Sequence, residues 1–160
     1  MAARYFCELD SPVGSLLLLG DGTALTGLYM HEQKYRPTLP AECERSDKVF
    51  REVSKQLQAF FAGKLKTFDV PLAGQGTDFQ KTVWQELSKI PYGVTQTYGS
   101  IAMRLGNANA SRAVGLANGR NPIGIIVPCH RVVGASGLLT GYAGGLHRKQ
   151  WLLEHERRFA

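Results

Sequence analysis

The segment Tyr98-Gly99-Ser100-Ile101-Ala102-Met103-Arg104-Leu105-Gly106-Asn107-Ala108-Asn109-Ala110-Ser111-Arg112-Ala113-Val114-Gly115-Leu116-Ala117-Asn118-Gly119 organises the second half of the chain. Tyr98 to Leu105 predicts a short helix stopped by Gly106, and Asn109 stands where a second helix, Ala110 to Asn118, would be capped, with Gly119 as its stop. Asparagine accepts hydrogen bonds from the free N–H groups of a helix start, and glycine takes the left-handed conformation that ends one. Two short helices across a tight glycine-containing turn have helix-turn-helix spacing. Ser111, Ala113 and Gly115 are small, so the second helix can approach a surface closely, and Arg112 is the one long group among them that can reach in. The plainer alternative is an exposed arginine on an alanine-rich helix.

Upstream, Thr77-Asp78-Phe79-Gln80 fits a capping box, and the helix after it shows Phe79, Val83, Leu87 and Ile90 on one face before Pro91-Tyr92-Gly93 ends it. Ala73-Gly74-Gln75-Gly76 is the best linker in the sequence and divides it into residues 1–75 and 76–160. The first part predicts strands at Arg4–Leu9, Ser15–Leu19 and Ala24–Met30, an exposed loop over 31–46, an amphipathic helix at Asp47–Ala62 stopped by Gly63, and a short strand at Leu65–Val70 ended by Pro71. Downstream of the paired helices, Ile123–Val127 has a buried-strand pattern cut off by Pro128. Arg131–Val133 and Leu138–Tyr142 read as a hairpin or wing around Gly134–Gly137, and a last helix runs from about His147 to Arg157. The fold class expected is α+β, in two small domains.

The 160 residues are 44% hydrophobic and 20% charged, an ordinary globular composition able to bury a core. No apolar run approaches the ~20 residues of a membrane span, and the N-terminus lacks a signal-peptide pattern, so a cytoplasmic protein is expected. Cys7, Cys43 and Cys129 are too few and too widely spaced for a disulfide framework or a zinc site with the histidines. The net charge of +6 is one-sided: residues 1–75 hold nine Lys/Arg and nine Asp/Glu, residues 76–160 ten against four. A basic half beside a neutral one points to a polyanion, most often nucleic acid, although a solubilising basic face would look the same.

The chemistry concentrates in Pro128-Cys129-His130-Arg131. Cys129 follows an apolar run at the point where the chain must turn, and thiolate is favoured beside imidazole and cationic groups. Cys7 and Cys43 lack such company and read as inert. Glu156 falls three and four positions after Leu153 and Leu152, so it either turns inward and needs a partner such as His130, or lies exposed in the last turn. Turned inward, it would orient His130, and His130 would draw the proton from the thiol. Asn121-Pro122 and Tyr142-Ala143-Gly144-Gly145 are either plain turns or parts of a pocket to which glycine admits a ligand closely.

Together, Ile125-Ile126-Val127-Pro128-Cys129-His130-Arg131-Val132-Val133 resembles the active-site signature of the alkylguanine-DNA alkyltransferases, the methylated-DNA–protein-cysteine methyltransferases. The match extends through Pro91-Tyr92-Gly93, Thr97-Tyr98-Gly99, Arg112-Ala113-Val114-Gly115, Asn121-Pro122, Gly141-Tyr142-Ala143-Gly144-Gly145, Trp151-Leu152-Leu153 and His155-Glu156. It is dense over roughly 77–157, loose over the first 75 residues, and looks closest to bacterial single-function members. The resemblance implies a ribonuclease H-like N-terminal sheet with a helix, and a helical C-terminal domain with a winged helix-turn-helix that enters the minor groove. It implies Cys129 as alkyl acceptor, His130 (through a water) and Glu156 as its activating relay, and Asn121 as a brace beside the thiol. Arg112 becomes the finger that fills the place of a flipped base, with Ser111, Ala113 and Gly115 against DNA. Tyr98 would press the phosphate and offer its hydroxyl to guanine N3. Tyr142, Val132, Ala143 and Thr140 would line the substrate pocket, the Cys129 and Val132 carbonyls reading the exocyclic amine and the Ala143 N–H meeting O6. Arg131 would support the site without touching substrate. The partner implied is double-stranded DNA containing O6-alkylguanine, met by a monomer that binds singly or cooperatively. No metal or organic cofactor is expected. Gly124 and Thr140 bear on how large an alkyl group fits. The competing readings are a DNA-binding module without chemistry and a Cys–His hydrolase that turns over.

Overall fold

In a computed structural model describing residues 3–160, four successive leucines at 16–19 set the first half. They form β2 (Leu16–Gly20), paired antiparallel on one side with β1 (Tyr5–Leu9) and on the other with β3 (Leu25–Met30). Every residue of β2 is buried, which is why the central strand shows an unbroken apolar run and no alternation. A two-residue β4 (Glu44–Arg45) adds in parallel to β1, giving the order β3-β2-β1-β4. It lies in the segment expected as loop. Its side chains are exposed, and only the backbone bonds Glu44 N–H to Arg4 O and Ser46 N–H to Phe6 O define it, so no apolar pattern announces it.

Helix α1 (Arg51–Phe61) buries Val53, Leu57 and Phe60 and begins four residues after the expected start, residues 47–50 forming a turn. It ends as expected at Gly63, where φ is +76° and Gly63 N–H and Lys64 N–H reach back to Phe60 O and Ala59 O. Leu65–Val70 is not a strand. The Gln56 side chain occupies the Asp69 backbone on both sides, accepting from its N–H at 2.9 Å and donating to its carbonyl at 3.0 Å. Pairing resumes only at Leu72, which bridges to Leu25.

Helix α2 (Asp78–Leu87) carries the expected capping box between Thr77 and Gln80. Its inner face is Val83, Trp84 and Leu87, with Ile90 buried beyond, whereas Phe79 in the first turn is 41% exposed. The indole of Trp84 pins this face by donating to Ala117 O at 2.9 Å. After β5 (Gln96–Thr97) comes α3 (Tyr98–Arg104), capped by the Thr97 hydroxyl and ended at Gly106. A 3₁₀ turn (Ala108–Ala110) then leads into α4 (Ser111–Gly119). The cap is Asn107, whose side chain accepts from Asn109 N–H at 3.1 Å. Asn109 is therefore not the cap, because the 3₁₀ turn starts the helical path early.

Ile123–Val127 is buried but does not run as a strand. Only Ile123 bridges, in parallel, to Leu28 on the edge of the sheet, and Ile125 then turns at φ +70°. Cys129–Arg131 is a 3₁₀ turn, and β6 (Val132–Val133) pairs in parallel with β5. The segment expected as a hairpin or wing closes as a turn, Gly134 N–H on Leu138 O, and among the described residues Leu138–Tyr142 has no strand partner. Helix α5 (Leu146–Phe159) completes the chain. One core cluster runs from Leu16, Leu28 and Phe60 through Val83, Ile101 and Val114 to Ile123 and Leu152, so the two halves share it. Among the described residues no helix is long and apolar enough to cross a membrane.

Candidate active site

The turn that carries Cys129 is built by Asn121. Its amide donates to Val127 O at 2.8 Å and Ile123 O at 3.4 Å and accepts from Ile123 N–H at 3.0 Å. One buried side chain thus closes both ends of the loop, and this replaces the strand partners a continuous β-segment would need. A β-branched residue with positive φ is unfavourable, so Ile125 marks a conformation that its surroundings impose. Cys129, 7% exposed, sits at the start of the 3₁₀ turn with its N–H on Val127 O.

Glu156 is turned inward, 1% exposed, and is the hub of the site. It accepts from His130 Nε2 at 2.7 Å, from Arg131 Nε at 2.8 Å and Nη2 at 2.9 Å, and from Gly93 N–H at 3.1 Å. Burial alone would raise its pKa, but the His130 and Arg131 hydrogen bonds and the arginine charge outweigh it and hold the carboxyl at about 2. An ionised carboxylate only accepts, so the His130 proton must lie on Nε2 and Nδ1 must carry the lone pair. His130 Nδ1 is buried without a protein partner. Burial lowers the His130 pKa more than Glu156 raises it, so the resting imidazole is neutral. Arg131 also donates to Ile90 O at 2.7 Å, which leaves it committed to the scaffold.

Burial raises the Cys129 thiol pKa, against the lowering effect of the Asn121 amide, the Lys149 ammonium and the Tyr142 hydroxyl beside the sulfur. The resting group is a protonated thiol in need of a base. Lys149 has no exposed surface, and its ammonium bridges Val132 O at 2.5 Å and Thr140 O at 2.8 Å. Burial lowers its pKa to about 8, although the charge of the nearby sulfur works to raise it. The sequence reading missed this residue. The signal was there: Lys149 lies three and four positions before Leu152 and Leu153, on the same inward face that pointed to Glu156. Asn118 was also missed. It donates to Cys129 O at 3.4 Å. Of the two carbonyls expected to read the base, Cys129 O thus already accepts from Asn118 and from Val132 N–H, while Val132 O accepts from Lys149 and keeps a second lone pair.

Tyr142 joins the sulfur to a cavity of about 680 Å³ lined also by Tyr98, Gly115, Ala143 and Gly144. Thr140 is exposed at its rim, with its hydroxyl 3.4 Å from that of Tyr98. Gly144 is needed here, since a Cβ would stand 2.5 Å from Met30 Sδ and 2.8 Å from the Tyr142 ring. Helix α4 buries Val114, Ala117 and Asn118, which turns Arg112, Ala113 and Leu116 outward beside the cavity, with Ser111 and Gly115 half-buried. The structure therefore gathers Cys129, His130, Glu156 and Asn121 into one buried cluster, with the half-buried Tyr142 against the sulfur. Tyr98, Ala143 and Thr140 stand at the opening, and Arg112 on the adjoining surface. The cluster places a thiol, a neutral imidazole and an ionised carboxylate behind Tyr142, which lines a cavity beside the exposed face of α4.

Residues 5–73 match the ribonuclease-like domain, and residues 78–158 the DNA-binding domain, of the 6-O-methylguanine DNA methyltransferase family models. A methylated-DNA–protein-cysteine methyltransferase of Methanosarcina acetivorans is 55% identical over 152 residues, which cover 95% of this chain and 97% of that protein. Its counterpart in Mycobacterium tuberculosis is 54% identical over 153 residues, 96% of this chain and 92% of that one. The crystal structure of Mycobacterium tuberculosis OGT in complex with DNA superposes with a TM-score of 0.91 at 52% identity, covering 98% of this chain and 94% of that one. The order of elements, the inward carboxylate and the cysteine turn thus occur in a chain that belongs to the 6-O-methylguanine DNA methyltransferase family.

Proposed function

We propose that this protein repairs DNA by moving the alkyl group of O6-alkylguanine onto its own Cys129, once per molecule. The observation that carries the reading is the buried pair of Glu156 and His130, the residue that follows Cys129, with the His130 Nδ1 lone pair without a partner among the described residues. A base pocket inside the protein requires the nucleotide to leave the stack. Helix α4 is placed for this, its small outward residues against the minor groove and Arg112 in the space the base vacates. Tyr98 at the opening presses the adjoining phosphate and offers its hydroxyl to N3. Tyr142 packs on the base, the Cys129 and Val132 carbonyls meet its exocyclic amine, and the Ala143 N–H meets O6.

His130 Nδ1 takes the thiol proton, through a water where the two do not touch, and Glu156 stabilises the imidazolium that forms. The thiolate attacks the alkyl carbon in line. The S–C bond forms as the C–O6 bond breaks, its electron pair goes to guanine, Tyr98 supplies a proton toward N3, and the proton taken from the thiol returns from His130 through solvent to Tyr98. A thioether has no labile acyl or phosphoryl bond, and no group in the site can regenerate the thiol. Residues 1–75 form the supporting unit and residues 76–160 the DNA-binding and transfer unit, acting as a monomer on double-stranded DNA.

The test is the intact mass of the protein after mixing with an equimolar duplex containing one O6-methylguanine. A gain of one methyl per chain, mapped to Cys129 and absent in Cys129→Ser, is expected. Tight lesion binding without mass gain would sink the reading in favour of a recognition module. Restored guanine with unmodified protein would sink it in favour of a turnover enzyme.

A further inference from the structure

The cavity beside Tyr142 has a wall that the transfer chemistry does not account for. His31, Glu32, Lys34 and Tyr35, from the first half of the chain, face Tyr98, Gly115 and Tyr142 across it. These residues follow β3 and fold back through two non-glycine residues with positive φ, Glu32 at +57° and Tyr35 at +62°. Three attachments hold the segment in that shape against the second half. Lys34 N–H donates to Ala143 O at 3.0 Å. One Arg148 nitrogen donates both to His31 O at 2.6 Å and to Gly144 O at 3.2 Å. The Arg120 guanidinium, just past the end of α4, lies 3.7 Å from the centre of the Tyr35 ring. Ala143 and Arg148 themselves line the cavity, and Arg120 follows Gly119, which lines it too.

We propose that His31–Arg36 is a specificity-determining wall of the alkyl-base cavity, fixed by the Tyr35–Arg120 stack and by Arg148, and that its position limits the size of the alkyl group transferred. The inference rests on Cys129 as alkyl acceptor. With the alkyl carbon held at the sulfur beside Tyr142 and O6 at the Ala143 N–H, a larger substituent must extend toward space bounded by this segment. Tyr35 is 53% exposed, so trimming it loosens the wall without opening a core cavity. Arg148 is a positioning residue: it sets both the wall, through His31 O, and the backbone next to the O6 donor, through Gly144 O.

The experiment compares rates of transfer to Cys129 from duplexes carrying O6-methylguanine and O6-benzylguanine, for the full chain and for Tyr35→Ala, Arg120→Ala, Tyr35→Phe and Arg148→Met. The benzyl-to-methyl ratio is expected to rise about tenfold in Tyr35→Ala and Arg120→Ala, the scale on which pockets sort substrates by a few carbons. Tyr35→Phe keeps the stack and is expected to return the ratio to the parent value. Arg148→Met is expected to shift the ratio and to slow methyl transfer as well, because it frees the Gly144 carbonyl. A ratio within about twofold of the parent in both alanine variants overturns the proposal. So does a parallel fall of both rates together with the melting temperature, which marks a merely structural loop. Should the parent leave Cys129 unalkylated with either duplex, the function reading itself fails, and that is visible before any variant is made.

Discussion

At Glu156 a single ionised carboxylate fixes which nitrogen of His130 carries the proton. It is buried, it accepts from His130, Arg131 and Gly93, and its pKa is depressed from 4.5 to about 2. A carboxyl whose folded pKa lies below its unfolded value stabilises the fold fully above the unfolded value and loses that contribution as pH falls through the folded one. The window is therefore pH 4.5 down to about 2. Urea unfolding across it should show a loss of about 3 kcal/mol assignable to this group, and Glu156→Gln should remove that part of the pH dependence. If Glu156→Gln unfolds with the parent's pH profile, the carboxylate is not the anchor described. The same substitution should slow methyl transfer at pH 7 by about a hundredfold or more, the lower range for losing general-base assistance, with lesion affinity nearly kept. Lys149 answers differently to pH. Its folded pKa of about 8 lies below the ordinary 10.5, so folding gains as pH rises between those values, and Lys149→Met should flatten stability over that interval. Both residues were legible in principle from the i, i+3, i+4 spacing with Leu152 and Leu153. Spacing shows which face a charged group occupies, however, and only the partner on the other element shows whether it can remain there charged.

The elements divide by where their backbone partners come from. Helices α1, α2 and α3 were readable because local chemistry makes them: the Thr77–Gln80 box, the Gly63 and Gly106 stops, and apolar residues every three or four positions. Of the segments misread as strands, Leu65–Val70 and Ile123–Val127 have apolar residues that are partly or fully buried, whereas Leu138 and Leu139 at the head of Leu138–Tyr142 are exposed. The backbone bonds of the three segments go to Gln56, to Asn121 with Leu28, and to a closed turn at Gly134. An apolar run suggests burial beside a strand, but in the first two places burial comes without a neighbouring strand, and in the third the leucines are not buried at all. Helix α4 supports a prediction at this scale. Its inward residues Val114 and Ala117 hold it on α2 and α3, so the outward Arg112 can be trimmed without loss of fold. Arg112→Ala should slow transfer from a lesion in duplex DNA roughly tenfold or more, as filling the vacated stack offsets part of an unstacking penalty of a few kcal/mol. Transfer from the free base O6-benzylguanine, which needs no flipping, should keep the parent rate. Equal slowing on both substrates would place Arg112 in the chemistry and not in base extrusion.

The whole molecule explains why a neutral half accompanies a basic one. The excess charge of +6 lies entirely in residues 76–160, so the attraction to DNA belongs there. The cysteine turn nevertheless leans on the first half at its back: Leu28 N–H donates to Pro122 O at 2.8 Å and Gly124 N–H to Leu28 O at 3.2 Å. Those bonds also cover the open edge of β3, which would otherwise invite another strand. On the far side, His155, next to Glu156, donates to Phe60 O at 2.7 Å and stacks on Trp151 at 4.8 Å between ring centres. Gly63 leaves room only for the Phe159 ring. Helix α5 thus fixes Glu156 from one end of α1 while the sheet edge fixes the Asn121 turn from the other. Residues 76–160 expressed alone should keep helical far-ultraviolet dichroism, since α2 and α3 carry their own caps and α4 packs on both. They should lose the near-ultraviolet signal of Trp84 and Trp151 and the transfer activity, because Ile123, Leu152 and the backbone of 122–124 lose their partners together. The fragment's salt-dependent affinity for undamaged duplex should persist, because the charges it needs travel with it. A fragment that transfers methyl at the full-length rate would show that the first half does not hold the site, and the shared core would then serve stability alone.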